Sequence, residues 1–357
     1  MSSLPLLDHL EAAAAKPLVG IARLAAEGEF IRDGHEVEYF TLNARSLLNR
    51  CTAPRMPFTW TINPYRGCEF ACKYCYARYT HEFMELGDLE FERKIYVKQQ
   101  AAWLLRRDLR RVKPGQEIAI GTATDPYQPA EKRYEVTRAI LEVFAEQERF
   151  EIGIVTKSNL VLRDVDLLQR IAERNKLFVN LTITTLNTGL ARILEPRAPR
   201  PDLRLEAICK LGENGVPAGV ICAPVVPGIT DAPADLEALV RTTAQAGGRY
   251  IFANPLFLKP CSASIFLPWL EKEFPQLVED YRKRYEGRAF VSTAYRKRIS
   301  ELMARLRRKY GFVSRNDRKR PLEVSRERSG GCSTGGRKKE FAAKSVQPLL
   351  EDQLALF

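Results

Sequence analysis

The sequence predicts an α/β chain whose central part is an open, partial (β/α)6 barrel, with an N-terminal extension before it and a basic helical region after it. Three observations predict this. Six short runs rich in Ile, Val, Phe and Thr recur between Phe58 and Asn254, amphipathic helical patterns lie between them, and the alternation stops after Leu258. Repeated strand–helix units imply a parallel sheet with right-handed crossovers. Six units fall short of the usual eight-stranded closed barrel, and a doubly wound sheet satisfies the same pattern.

The strand runs are 58–63, 117–122, 151–156, 177–184, 216–222 and 249–254. The later ones are nearly continuous in apolar residues, as parallel strands buried on both faces should be. Between them, Ile95, Ala102, Leu105, Leu109 and Val112 predict one face of a helix whose other side carries Arg106, Arg107, Arg110 and Arg111. Val136, Ile140, Leu141 and Phe144 form a second stripe. Asp164 is placed to cap a third helix, with Leu168 and Ile171 inward, and Asp231 with Pro233 marks the start of a fourth. The expected organisation is therefore an extension over 1–56 with short helical stretches, the barrel over 57–258, basic helices over 259–312 and a flexible basic tail over 313–357.

Composition narrows the function classes. The chain has 357 residues, 45% of them apolar, and a formal net charge of +12. No run of about 18 apolar residues occurs, which argues against a transmembrane helix. No basic segment followed by an apolar one opens the chain, so no signal peptide is expected and a cytoplasmic location follows by default. The positive charge is concentrated: eleven Lys and Arg against two acids from Tyr281 to Tyr310, and nine against four from Val313 to Glu340. Such stretches attract polyanions, nucleic acid first among them, although a solvated helical face has the same composition. Tyr281, Tyr285, Tyr295 and Tyr310 are interleaved with this charge, suited either to base contacts or to anchoring the helices.

Of eight cysteines, Cys68, Cys72 and Cys75 crowd into eight residues, while Cys51, Cys209, Cys222, Cys261 and Cys332 are scattered. A chain of this size with no secretory signal points to metal or redox use rather than disulfides. Gly67 allows a sharp turn at the start of the loop. In an α/β barrel a loop after a strand lies at the C-terminal face, where active sites form. A closed zinc site wants four ligands, and the nearest further candidate in sequence is His81. A [4Fe-4S] cluster held by three cysteines leaves one iron open.

Cys-x3-Cys-x2-Cys with an aromatic residue, here Tyr74, before the third cysteine resembles the signature of the radical S-adenosylmethionine (SAM) superfamily. The run NPYRGCEFACKYCYAR resembles the branch related to spore photoproduct lyase, also described as DNA-repair-photolyase-like. TATDPYQPAE (122–131), VTKSNLVLRD (155–164), LTITTLN (181–187), LEPRAPRPDLR (194–204) and APVVPGITD (223–231) extend the resemblance across the whole alternating region.

The resemblance implies that Cys68, Cys72 and Cys75 hold a [4Fe-4S] cluster and that SAM chelates the open iron. It further implies reductive cleavage of SAM to a 5′-deoxyadenosyl radical, fed by an electron donor such as flavodoxin or ferredoxin. Thr124 and Lys157 match positions that hold the methionine group of SAM, and a lysine ammonium suits a carboxylate there. Thr182 or Thr184 reaches the ribose. Tyr74 packs near adenine or plugs the loop. Asp125, Tyr127, Gln128, Glu195 and Arg197 sit where substrate contacts belong. Tyr76 matches a tyrosine of the lyase's hydrogen relay. Where the lyase has a hydrogen-donating cysteine this chain has Thr122, so Cys261 stands as a speculative substitute. The expected substrate is nucleic acid, with a protein or small metabolite, or a non-enzymatic metal-stabilised binding module, as alternatives. The C-terminal Gln353, Leu354, Leu356 and Phe357 resemble the peptide by which bacterial repair proteins dock on the sliding clamp.

Overall fold

The structure, a computed structural model, describes residues 18–34, 36–52 and 56–312. The basic tail over 313–357, with its clamp-like C-terminus and Cys332, lies outside the described residues.

Eleven strands are described: β1 (Phe30–Gly34), β2 (Val37–Thr41), β3 (Leu48–Arg50), β4 (Trp60–Ile62), β5 (Tyr65–Arg66), β6 (Lys94–Val97), β7 (Glu117–Ile120), β8 (Glu151–Thr156), β9 (Lys176–Thr182), β10 (Ala218–Val225) and β11 (Ile251–Pro255). The main sheet runs β11-β10-β9-β8-β7-β4-β3. From β4 to β11 every pairing is parallel, and each strand lies beside the next parallel strand in the chain. A doubly wound sheet reverses its order at a switch point. The absence of any reversal here makes this the partial barrel, open between β11 and β4.

Burial explains the strands. Ile118, Ile120, Ile152, Ile154, Val179, Leu181, Val220, Cys222, Val225 and Ile251 are fully buried. The intervening helices supply the facing layer, with Leu141 and Phe144 from Val136–Ala145, Leu168 and Ile171 from Val165–Arg174, and Ile208 and Leu211 from Pro201–Glu213. Asp164 does not cap its helix with its side chain; it instead pairs with Arg138 and Arg163.

The N-terminal extension corrects the sequence expectation. Among its described residues it contains one helix, Gly20–Ala26, and the remaining elements are strands. β3 lies antiparallel on β4 and closes that edge of the main sheet. β1, β2, β6 and β5 make a second sheet in which β2 runs parallel to β6. Alternation in Val-Glu-Tyr-Phe-Thr favours a strand, but its partner lies more than fifty residues away, where a local pattern gives no warning. Ile95 belongs to β6, and the helix assigned to it begins only at Ala101.

The region after the barrel opens with two helices, Pro260–Glu273 and Val278–Tyr285. Pro275 stands in the break, where it lacks an N–H and restricts the residue before it. The tyrosines of this region are anchors. Tyr281 donates to the Pro227 carbonyl at 2.7 Å and Tyr285 to Leu256 at 2.9 Å. Tyr295 donates to Asp231 and Tyr310 to Glu237, each at 2.8 Å. Tyr281 and Tyr295 are also buried, which withdraws their rings from base contact. Among the described residues, no helix is long and apolar enough to cross a membrane.

Candidate active site

The cysteine loop leaves β5 through Gly67, whose φ is +82°. A Cβ at that position would lie 2.6 Å from the Lys94 carbonyl oxygen, so the approach to β6 requires glycine. The loop is then tied on every side. Thr124 donates to the Gly67 carbonyl at 2.6 Å, and the Gln128 amide donates to the same carbonyl at 3.2 Å and to Thr124 at 3.0 Å. The Glu69 N–H donates to Gln128 at 3.0 Å, while its carboxylate accepts from Ala130 N–H and from Tyr39 of β2. Ser262 donates to the Cys75 carbonyl at 3.1 Å.

Cys68, Cys72 and Cys75 line a single cleft at the C-terminal ends of the strands, together with Tyr74, Tyr76, Thr122, Thr124, Asp125, Lys157 and Thr182. Burial pushes the Cys72 thiol up to about 12, with Lys157 pulling the other way and Glu195 and Cys75 adding to the rise. Burial also pushes Cys68 up, reinforced by Asp125 and the other two cysteines. Two thiols whose ionisation burial opposes, with Cys75 on the same cleft wall, are a donor set suited to a strongly positive group. Among the described residues, no three His, Cys, Asp or Glu side chains converge as a single-ion site. His81 is fully buried, donates through Nε2 to the Lys94 carbonyl at 3.1 Å, and packs on Phe91 and Tyr96 outside the cleft. It supplies no fourth ligand for zinc. The donor set fits a three-cysteine cluster better than one ion.

Lys157 follows β8. Its N–H is held by Asp125 at 2.7 Å, and its ammonium lies 5.7 Å from the centre of the Tyr74 ring. Burial disfavours its charge, but Cys72, Glu195, Asp125 and Cys75 outweigh this and hold the ammonium above its ordinary value. It forms no ion pair with a carboxylate among the described residues, which leaves it available to an anionic group in the cleft. Thr182 ends β9 on the cleft wall, whereas Thr184 lies past the strand and donates to Glu195 at 3.3 Å.

Several residues expected at the substrate turn out to be braces. Asp125 accepts from Thr156 at 2.6 Å, Lys157 N–H at 2.7 Å and Tyr127 N–H at 2.9 Å, joining the ends of β7 and β8. Gln128 is fully buried, and Tyr127 is 1% exposed and absent from the cleft wall. Arg197 reaches away to Glu36 at 2.9 Å. Cys261 is buried beside Ser262 and does not line the cleft. Tyr76 does line it, with its hydroxyl donating to the Thr122 carbonyl.

Glu195 is the hub of a buried assembly. Tyr74 donates its hydroxyl to it, and Arg204 sits 2.5 Å away as an ion pair in which both side chains are 1% exposed. Arg204 also donates to the Thr182 carbonyl and to the Pro199 carbonyl, each at 2.8 Å. The tyrosine between two cysteines is thereby locked to β9. Sequence reasoning missed Arg204, although a signal existed: it falls with Ala207, Ile208 and Leu211 on the buried stripe of its helix. An arginine on an apolar stripe implies a buried partner.

Residues 62–241 match the Radical SAM superfamily. An uncharacterized protein of Mycobacterium tuberculosis is 33% identical over 295 residues, covering 82% of this chain and 85% of that protein. An uncharacterized protein of Methanocaldococcus jannaschii is 28% identical, covering 77% of this chain and 95% of that protein. Among solved structures, spore photoproduct lyase complexed with dinucleoside spore photoproduct superposes with a TM-score of 0.58 at 17% identity, covering 76% of this chain and 79% of that one. A mutant of that lyase with bound AdoMet and dinucleoside spore photoproduct gives 0.56 at 16% identity, covering 76% and 78%. At such identity the likeness speaks to fold. The family match and the relatives speak to descent: the chain belongs to the radical SAM superfamily.

Proposed function

We propose that the chain holds a [4Fe-4S] cluster through Cys68, Cys72 and Cys75, binds SAM beside it, and acts on nucleic acid to repair or modify a base. The observation that carries the chemistry is that three thiols and an ammonium, which has no carboxylate partner among the described residues, line one cleft. Cluster and SAM together supply one-electron cleavage of SAM and abstraction of hydrogen from a substrate C–H bond. The chain's own residues orient that chemistry. Lys157 pairs with the carboxylate of the methionine group, and Thr182 offers a hydroxyl from the β9 wall. Thr124 acts through the loop it holds at Gly67. Tyr76, fixed by the Thr122 carbonyl, is the residue placed to pass hydrogen at the cleft wall.

Three features favour nucleic acid as the substrate class. The chain carries a net charge of +12. Its last described helix, Thr293–Lys309, ends in Arg307, Arg308 and Lys309. A solved neighbour of similar fold is complexed with a dinucleoside lesion. Thr122 replaces a hydrogen-donating cysteine, which points to a substrate other than the spore photoproduct itself. The C-terminal Gln353-Leu354-Ala355-Leu356-Phe357 fits a sliding-clamp ligand, which would bring the enzyme to replicating DNA. A peptide of residues 347–357 should bind the clamp of the source organism and lose binding on Leu356→Ala.

The deciding experiment is anaerobic reconstitution with iron and sulfide, then incubation with SAM and dithionite. The expected result is 5′-deoxyadenosine formation, increased by damaged DNA. No formation by cluster-loaded protein overturns the radical chemistry. Formation indifferent to any nucleic acid overturns the substrate class alone.

A further inference from the structure

Five aromatic rings form a continuous run that meets the cleft wall at Phe257 and Tyr76. Phe290 stacks on Phe257 with centroids 4.5 Å apart, and Phe257 meets Tyr76 at 6.3 Å. Tyr76 stacks on Tyr79 at 6.4 Å, and Tyr79 meets Phe83 edge-on at 5.6 Å. Phe257 and Tyr76 line the cleft. The two ends of the run face solvent, Phe290 at 37% exposure and Phe83 at 59%. Over its middle stands Lys259, with Nζ 4.1 Å from the Tyr79 centroid and 5.9 Å from that of Phe257.

Packing alone does not account for this arrangement. Rings recruited only to fill a core end up covered, and a lysine placed only for solubility points away from apolar surface. Here the run begins and ends in exposed rings, and the ammonium lies over them without a carboxylate partner among the described residues. Three chain segments build the run, 76–83, 257–259 and 289–290, and Leu258 N–H donates to the Ala289 carbonyl at 2.9 Å and so holds Phe257 against Phe290. Ring faces beside an unpaired cation are the composition of a single-strand binding platform, in which bases stack on the rings and the cation meets the phosphate.

We infer that this run is a base-stacking rim that receives unpaired nucleotides at the cleft, with Lys259 on their backbone. The inference rests on the nucleic-acid reading above and narrows it to bases that are unstacked, either in a single strand or extruded from a duplex, because a base paired inside a duplex offers no free face. Phe290 and Phe83 take flanking bases, while the Phe257–Tyr76 segment faces the base at the cleft.

The test is fluorescence anisotropy with the full reconstituted chain and two labelled probes of equal length: a short single-stranded DNA and the same backbone bearing abasic sites. The expected result is that the intact strand binds more tightly by roughly five- to 150-fold, the range for one base–aromatic stack. Phe290→Ala and Phe257→Ala should erase that preference without weakening binding of the abasic strand. Lys259→Ala should weaken both strands and flatten the logarithmic salt dependence by up to about one unit. Should Phe257→Ala fail to fold, Phe290→Ala and Phe83→Ala, at exposed positions, carry the test. Equal affinity of the wild-type chain for the two strands overturns the rim and leaves nucleic-acid binding standing. Failure of both strands to bind overturns the substrate class, and the rim with it.

Discussion

Around the cysteine loop, Thr124, Asp125, Gln128, Glu195 and Arg204 are all buried, and their polar atoms are committed to neighbouring loops and strand ends. Along Thr293–Lys309 the arrangement is reversed. Lys297 and Arg298 have side chains 75% and 66% exposed, and the buried residues are Tyr295, Ile299, Met303, Ala304 and Leu306. Burying a polar group is costly unless it is paired, so the loop region holds one geometry because the alternatives leave groups unsatisfied. The outer helix holds by apolar packing and by the hydroxyls of Tyr295 and Tyr310, and its charges remain in solvent. One region is built to fix the positions of atoms, the other to present a field.

The sharpest contrast comes from the ligands themselves. Cys72→Ala should abolish both stoichiometric iron retention after anaerobic reconstitution and SAM cleavage, and Cys68→Ala and Cys75→Ala should do the same. Full retention of iron by any one of them would remove that cysteine from the site. Beside them, Arg204→Ala tests the bracing. It leaves Glu195 buried without its ion-pair partner, a change expected to cost about 3–5 kcal/mol in the unfolding free energy. Chemical denaturation of the apo-protein reads this without reference to activity. A loss below about 1 kcal/mol would mean that the pair contributes little to fixing Tyr74 and the loop.

The same contrast explains what the sequence disclosed. The cysteine triplet is a local signal, three donors within one short loop, and it led directly to the cleft. The succession of six parallel strands was legible because each buried run stands between helical stripes, whereas their order in the sheet was not, since a doubly wound sheet satisfies the same pattern. Pairings across long separations were not legible. Nothing local announces that Val37–Thr41 will lie on Lys94–Val97, or that Tyr39 will donate to Glu69. Nor did it show that Asp125 and Gln128 turn inward as braces, because a loop of polar residues reads the same whether its side chains face substrate or backbone. The tyrosines of the basic helices misled for a related reason. Their spacing suits base contact or anchoring equally, and only the partner carbonyls and carboxylates decide.

A smaller effect is expected at Lys157. If Lys157 pairs with the carboxylate of SAM as proposed, Lys157→Ala should weaken SAM binding by roughly 1.5–3 kcal/mol. Iron content should be unchanged, since the loop is held by Thr124, Gln128 and Ser262 rather than by this ammonium. Isothermal titration on the cluster-loaded protein measures it. Unchanged affinity would assign the ammonium to balancing the thiolates alone.

The smallest effect on the fold should come from the outer helix, and it carries the most weight for partner choice. Arg296, Lys297 and Arg298 make weak interactions: Arg296 with Thr293 at 3.2 Å, Lys297 with Glu301 at 3.9 Å, and Arg298 with Asp231 at 3.4 Å. Exposed pairs of this kind contribute about 0–1 kcal/mol each. Changing all three to glutamate should therefore shift stability little, because the helix keeps the buried faces of Tyr295, Ile299 and Met303. Iron content and SAM affinity should not move, since none of the three lines the cleft. Nucleic-acid affinity should fall steeply at low salt. The dependence of log affinity on log salt should flatten, because a chain that neutralises fewer phosphates releases fewer counterions on binding. The preference for an intact over an abasic strand should survive, since it belongs to the aromatic rim and not to this helix. A variant that loses the preference but keeps the salt slope would show that the outer helix steers bases rather than phosphates. A variant with unaltered affinity and slope would leave Lys259 and the tail as the sources of the field.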